Sequence, residues 1–137
     1  MRLAIIGLGD IAKKAYLPVL TEKEGIELIL CTRNADTLKQ LSAKYRIHES
    51  VQTVEEVIER KIDAAIVSTA TEGHFETARK LLAHGIHTYI DKPVSMNLNE
   101  TEEIVRLAKE KNVISMVGFN RRFIPMIRDL KKYGKPS

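Results

Sequence analysis

The chain has a single cysteine, Cys31, among 137 residues. One thiol cannot close an internal disulfide, so the fold must rest on its core, and a reducing cytoplasm is the expected compartment. Long apolar runs are missing too. No stretch approaches the ~20 residues that a membrane helix requires, so no membrane partner is expected. The opening Met1-Arg2-Leu3-Ala4-Ile5-Ile6 faintly mimics a secretory leader, but it is short, and Asp10, Lys13 and Lys14 follow at once. His84 and His87 have no carboxylate or cysteine at ligand spacing, and no metal is expected. The Gly-Lys-Ser/Thr of a nucleotide-triphosphate loop is absent. Repeats, linkers and low-complexity tracts are absent as well.

Charge is present but dispersed, with a formal net of +4. The one basic cluster is Arg121, Arg122, Arg128, Lys131, Lys132 and Lys135. It lacks the interleaved aromatics of an RNA-binding surface and reads as a solvated helix face. The overall charge suits a small polyphosphate ligand, and no nucleic-acid partner is expected. A chain of this length predicts one domain that buries roughly two-thirds of its unfolded surface.

Short apolar runs occupy residues 3–6, 26–31, 64–67, 86–90 and 113–117, with a weaker extended piece near 45–48. Near-continuous apolar strands fit a parallel sheet covered on both faces. Amphipathic stretches separate them. Asn34 caps a helix running to about Tyr45, and Thr53 with Glu56 forms a capping box ahead of residues 54–60. Residues 71–84 carry Phe75, Ala78, Leu81 and Leu82 at helical spacing, and Gly85 closes that helix. Asn97 or Asn99 opens the helix over 100–111. The first helix follows Gly9, and Pro18 should end or kink it. This alternation predicts an α/β fold: a doubly wound parallel sheet of about six strands, a Rossmann fold ordered 3-2-1-4-5-6.

Gly7-Leu8-Gly9-Asp10-Ile11-Ala12 follows the first strand and opens the first helix. Gly7 suits a tight turn, Gly9 lets backbone approach a pyrophosphate, and Ala12 keeps helix and strand close. With Asp10 and Ile11 they place free N–H donors and a partial positive charge at an anion. The second strand ends in Cys31-Thr32-Arg33-Asn34, with no carboxylate for the ribose hydroxyls. Arg33 can pair with a 2′-phosphate and Thr32 can add a hydroxyl bond, so NADP is the expected cofactor and NAD the alternative. Cys31 reads as a buried strand residue.

In such sheets ligands gather beyond the carboxyl ends of the strands. Ser68, Thr69 and Ala70 follow the fourth strand and could line the cofactor. His74 either faces the ribose or caps and packs the next helix. Asp91-Lys92-Pro93 follows the fifth strand. An ammonium held there could bond a substrate hydroxyl or carbonyl oxygen and stabilise developing charge or help move a proton. The other reading of Lys92 is an exposed loop lysine.

Four ordered segments, Gly7 to Ala12, Ser68 to His74, Asp91-Lys92-Pro93 and Gly118-Phe119-Asn120-Arg121-Arg122-Phe123-Ile124-Pro125, resemble the Gfo/Idh/MocA oxidoreductases. The resemblance covers essentially the whole chain. It implies an NAD(P)-using Rossmann domain over 1–120 whose substrate is a small molecule oxidised or reduced at a hydroxyl or carbonyl carbon, a sugar, cyclitol or relative. It implies that Lys92 is the catalytic lysine, that Asp91 and Asn120 belong with the cofactor site, and that Arg122 lies near the cleft. Asp91 stands where the family usually has Glu, and Ala70 where proline is common. The family's second domain supplies the substrate pocket, a catalytic histidine and most contacts of a homo-oligomer. That domain is absent here, and residues 121–137 read as a crossover helix and its start. A chain cut there should bind cofactor yet be catalytically incomplete. The competing readings are a regulatory nucleotide-sensing Rossmann module, which expects an acid after the second strand and leaves Asp91-Lys92-Pro93 unexplained, and a methyltransferase, which expects a glycine-richer first turn.

Overall fold

The computed structural model describes residues 1–130, 133 and 134. Lys131, Lys132 and Lys135 of the basic cluster lie outside the described residues, as do Pro136 and Ser137. Six strands form one sheet: β1 (Arg2–Ile6), β2 (Glu27–Cys31), β3 (Glu49–Val51), β4 (Ala64–Val67), β5 (His87–Ile90) and β6 (Ser115–Val117). Every pairing is parallel and the order is β3-β2-β1-β4-β5-β6. The expected doubly wound sheet is therefore present.

Alternate residues of the central strands feed two cores. Ala4, Ile6, Ile29, Val67 and Ile90 pack under α3 (Val54–Glu59), α4 (His74–Ala83) and α5 (Leu98–Glu110), through Val57, Leu81, Leu82 and Ile104. On the opposite face Leu3, Ile5, Leu30 and Ile66 meet Ala12 and Leu17 of the first helical segment, and Leu38 and Leu41 of α2 (Ala35–Tyr45). Burial on both faces is what removes polar alternation from these strands.

The caps follow the local chemistry. Asn34 accepts from the Thr37 amide at 2.9 Å, and Asn97, rather than Asn99, accepts from the Glu100 amide at 3.0 Å. Thr53 and Glu56 complete a reciprocal capping box. Gly85 follows α4 with φ of 73°.

Three elements differ from expectation. The third strand is Glu49–Val51, not residues 45–48. Tyr45 ends α2, Arg46 takes a left-handed conformation (φ 54°), and Tyr45 and Ile47 pack against the second core. The helical residues before α4 begin as a 3-10 turn, Thr71–Gly73. Pro18 does not end the first helix. A π-helical turn, Ala12–Tyr16, runs directly into α1 (Leu17–Leu20). The wide turn stands directly before Pro18, where the missing amide interrupts the regular ladder, so the helix changes its pitch there and continues. Among the described residues, no helix is long and apolar enough to cross a membrane.

Candidate cofactor and active site

The turn after β1 is held from both sides. The Gly7 amide donates to the Cys31 carbonyl at 2.9 Å, and the Ser68 amide donates to the Ile6 carbonyl at 2.7 Å. Gly7 has φ of 92°, and a Cβ there would lie 2.4 Å from the Ser68 carbonyl oxygen and 2.6 Å from the Thr69 nitrogen. Gly7 thus permits both the turn and the contact with the end of β4. Gly9 differs: a Cβ there would meet nothing within 4 Å. Ala12 is fully buried beneath the turn. Asp10 and Ile11 are exposed at the helix start. Lys14 pairs with Asp10 at 2.9 Å and holds its carboxyl below the usual range.

A cleft of about 690 Å³ opens above this turn. Gly7, Gly9, Thr32, Arg33, Thr69 and Ala70 all line it, so six of the residues singled out in the sequence converge on one surface. The guanidinium of Arg33 makes no ion pair or hydrogen bond with any described residue. Its backbone carbonyl accepts from the Gln52 side chain at 2.8 Å. The cleft also takes in Gln52, Thr53, Val54 and Glu55, which sequence reading missed. The capping box was their signal: a strand set directly before Thr53 puts this loop on the carboxyl edge. Two acids line the cleft, Glu55 and Glu72, and Glu55 is tied to Lys80 at 2.5 Å. That hydrogen bond holds its carboxyl below the usual range.

Cys31 lines the floor of the cleft but is only 2% exposed. Burial, with Glu56 and Glu55 nearby, pushes its thiol up to about 12. The folded chain should therefore react slowly with a disulfide reagent at pH 8, and unfolding in urea should release the thiol. A thiol protonated to higher pH in the folded state favours folding below the unfolded value near 9 and loses that contribution as pH rises toward 12. Stability measured across pH 9–12 should fall, and Cys31→Ala should flatten the decline. Fast thiol reaction in the native state would contradict this.

The loop after β5 carries the second group of residues. The Asp91 amide donates to the Val67 carbonyl at 3.0 Å. Its carboxylate accepts from Ser68 Oγ at 2.6 Å and from the Tyr16 hydroxyl. Burial first, and then the Asp91 contact, raises the Tyr16 phenol above its ordinary value. The Tyr16 ring also stands edge-on to Tyr89, with centroids 6.0 Å apart. Lys92 is exposed, its ammonium bonded to no described residue, and the Lys92–Pro93 peptide is cis. Pro93 presents its carbonyl to His74 Nδ1 at 2.7 Å, while Nε2 of the same ring lies 3.0 Å from the Thr69 carbonyl. His74 is 2% exposed. Both ring nitrogens therefore lie against backbone carbonyls, of which a neutral ring can donate to one, and this enclosed setting favours the packing reading over one that faces a ribose.

Ser68 likewise spends its hydroxyl on Asp91 rather than on the cleft. Asn120 is exposed at the start of a 3-10 turn, Asn120–Phe123, beyond β6. Because β5 and β6 are parallel neighbours, Lys92 and Asn120 share the carboxyl edge of the sheet. Neither lines the cleft. Arg122 stacks over Phe123 at 6.0 Å. Among the described residues no group of histidine, cysteine or acidic side chains could hold a metal.

A six-stranded parallel sheet in this order, with a glycine turn beneath an open cleft at its carboxyl edge, defines a dinucleotide-binding Rossmann domain. The chain belongs to the Gfo/Idh/MocA oxidoreductase family: the family's model, described as "Oxidoreductase family, NAD-binding Rossmann fold", matches residues 1–119. The crystal structure of a Gfo/Idh/MocA family oxidoreductase from Vibrio cholerae superposes with a TM-score of 0.90 at 40% identity, over 96% of this chain and 42% of that one. The Salmonella typhimurium protein YceM is 39% identical over 96% of this chain and 42% of its own length. Two Bacillus subtilis scyllo-inositol 2-dehydrogenases are more distant. The NADP(+) enzyme IolU is 28% identical over 97% of this chain and 41% of its own length, and the NAD(+) enzyme is 31% identical over 96% and 39%. The chain therefore spans about two-fifths of the length of these relatives.

Proposed function

We propose that this chain is the cofactor-binding part of an NADP-preferring dehydrogenase or reductase acting at a hydroxyl or carbonyl carbon of a sugar, cyclitol or related small molecule. One observation carries the cofactor preference: the guanidinium of Arg33, on the rim of the cleft just past the end of β2, bonds to no described residue, and no acid follows β2 directly. An unpaired guanidinium suits the 2′-phosphate of NADP, and a carboxylate there would repel it. The relatives support a nicotinamide cofactor of either kind, since the two Bacillus subtilis enzymes differ in it. They also support the substrate class.

The cleft fits the group. Open space above Gly9 leaves backbone free to approach a pyrophosphate, and the helix start at Asp10 and Ile11 supplies N–H donors. The bound nicotinamide supplies or takes up hydride. Lys92 would donate a hydrogen bond to the substrate oxygen at the reacting carbon, stabilising negative charge there and holding the proton that is exchanged. Thr69 and Ala70 would wall the cofactor on the β4 side, and Asn120 would border the substrate end. The proposed cofactor unit is 1–120, with 121–137 leading out of it. A substrate pocket and a second proton-transfer group are assigned to further chain, in line with the relatives' length.

Titrating one sample of the 137-residue chain with NADPH and NADH, by nicotinamide fluorescence, tests this reading. NADPH should bind about tenfold or more tightly, with little turnover of inositols or sugars. Tighter NADH would overturn the preference, and appreciable dehydrogenase activity would overturn the incompleteness.

A further inference from the structure

Lys92 is flanked by two anchored neighbours. On one side both carboxylate oxygens of Asp91 are taken, Oδ1 by the Tyr16 hydroxyl and Oδ2 by Ser68. On the other side the Pro93 carbonyl lies 2.7 Å from His74 Nδ1. Among the described residues, Lys92 alone of this trio meets no hydrogen-bonding side chain. We propose that Tyr16, Ser68 and His74 form a two-sided clamp whose role is to position Lys92 relative to the bound cofactor. They are positioning residues, and the proposal rests on the reading of Lys92 given above.

Two features favour positioning over simple loop stability. The first is cost. A partly buried carboxylate facing a phenol must be desolvated, and an apolar pair of similar shape would secure the same loop more cheaply. The second is where the clamp takes its reference. Tyr16 closes the π-helical turn that begins at Ala12, directly after the glycine turn. Ser68 is the residue against which Gly7 packs, and its amide is bonded to Ile6. The second ring nitrogen of His74 lies 3.0 Å from the carbonyl of Thr69, which lines the cleft, so the ring sits between the two loops and donates to one carbonyl or the other. Each jaw is thus fixed to a segment that forms the cofactor cleft. A shift of the phosphate turn or of the β4 loop is passed to both neighbours of Lys92. A reacting group is placed through the backbone that carries it, and these contacts fix the backbone on either side of Lys92.

The test reads Lys92 directly. Lysines of the 137-residue chain are labelled by reductive ¹³C-methylation, and the Lys92 signal is identified by its loss in Lys92→Arg. NADPH should shift this signal in the parent chain. Tyr16→Phe keeps the ring and its edge contact with Tyr89 and removes one hydroxyl. It should bind NADPH with unchanged affinity, yet its Lys92 shift should fall by roughly half or more, or the signal should broaden. The signal of Lys39, on α2, should be unaffected. Ser68→Ala removes the other donor to Asp91; it should diminish the Lys92 response in the same way, and it carries the test if Tyr16→Phe does not fold. A Lys92 response identical to the parent in the folded variants overturns the clamp while leaving the role of Lys92 intact. No response in the parent chain overturns the role of Lys92, and the clamp with it.

Discussion

Gly7→Ala is expected to lower stability by roughly 2–4 kcal/mol and to abolish cofactor binding, whereas Gly9→Ala should leave stability nearly unchanged and still weaken binding. The difference lies in what each methyl group meets. At Gly7 the backbone is left-handed, with φ of 92°, and the new carbon would fall 2.4–2.6 Å from the carbonyl group of Ser68 and the nitrogen of Thr69. These are backbone atoms at the end of a central strand, and neighbouring amides are bonded to Ile6 and Cys31. Relief requires β1 and β4 to separate, which disrupts the core beneath. Domains of this size hold only about 5–15 kcal/mol in total, so the loss is a large share of it. At Gly9 nothing lies within 4 Å, so the protein tolerates alanine. The methyl group would occupy space that a pyrophosphate needs. Urea unfolding and NADPH titration of both variants separate the two roles. A Gly7→Ala chain as stable as the parent would refute the packing argument.

The sheet order was legible because its causes are local. Alternate residues of each short run face opposite cores, so the runs read as doubly buried strands, and right-handed crossovers leave few orders open. Asn34, Thr53 and Asn97 mark their helices because capping is chemistry over three residues. Beyond that range the sequence is silent. Residues 45–48 resemble a strand because Tyr45 and Ile47 are apolar, but they serve a helix end turned by Arg46, where no glycine gives the turn away. The true strand, Glu49–Val51, carries two polar residues at the edge of the sheet. Placing it wrongly hid Gln52 to Glu55. The partnership of Tyr16 with Asp91 spans 75 residues and belongs to no motif. His74 could only be left with two readings, because the choice depends on the carbonyls of Thr69 and Pro93, which the fold brings to either side of its ring.

Arg33→Asp is expected to reverse the cofactor preference, changing the NADPH-to-NADH affinity ratio by roughly 10²–10³. The substitution replaces attraction by repulsion at one point. A guanidinium about 4 Å from a phosphate gains on the order of 1–4 kcal/mol in a partly solvated edge, and a carboxylate there loses a comparable amount. NADH has no phosphate to repel. Its ribose hydroxyls can donate to the new carboxylate, so its binding should hold or improve. Local structure favours a clean result. The Arg33 carbonyl, not its side chain, is what Gln52 holds, and Asn34 caps α2 independently. Of the two acids that line the cleft, Glu55 lies on the same side as Arg33, at the start of α3, and is engaged by Lys80. Salt provides a second check. NADPH affinity of the parent chain should drop markedly as ionic strength rises, and that of Arg33→Asp for NADH much less. Arg33→Lys should fall between, since it keeps the charge but not the planar fork. Undiminished NADPH binding by Arg33→Asp would place the 2′-phosphate elsewhere and remove the basis for the preference.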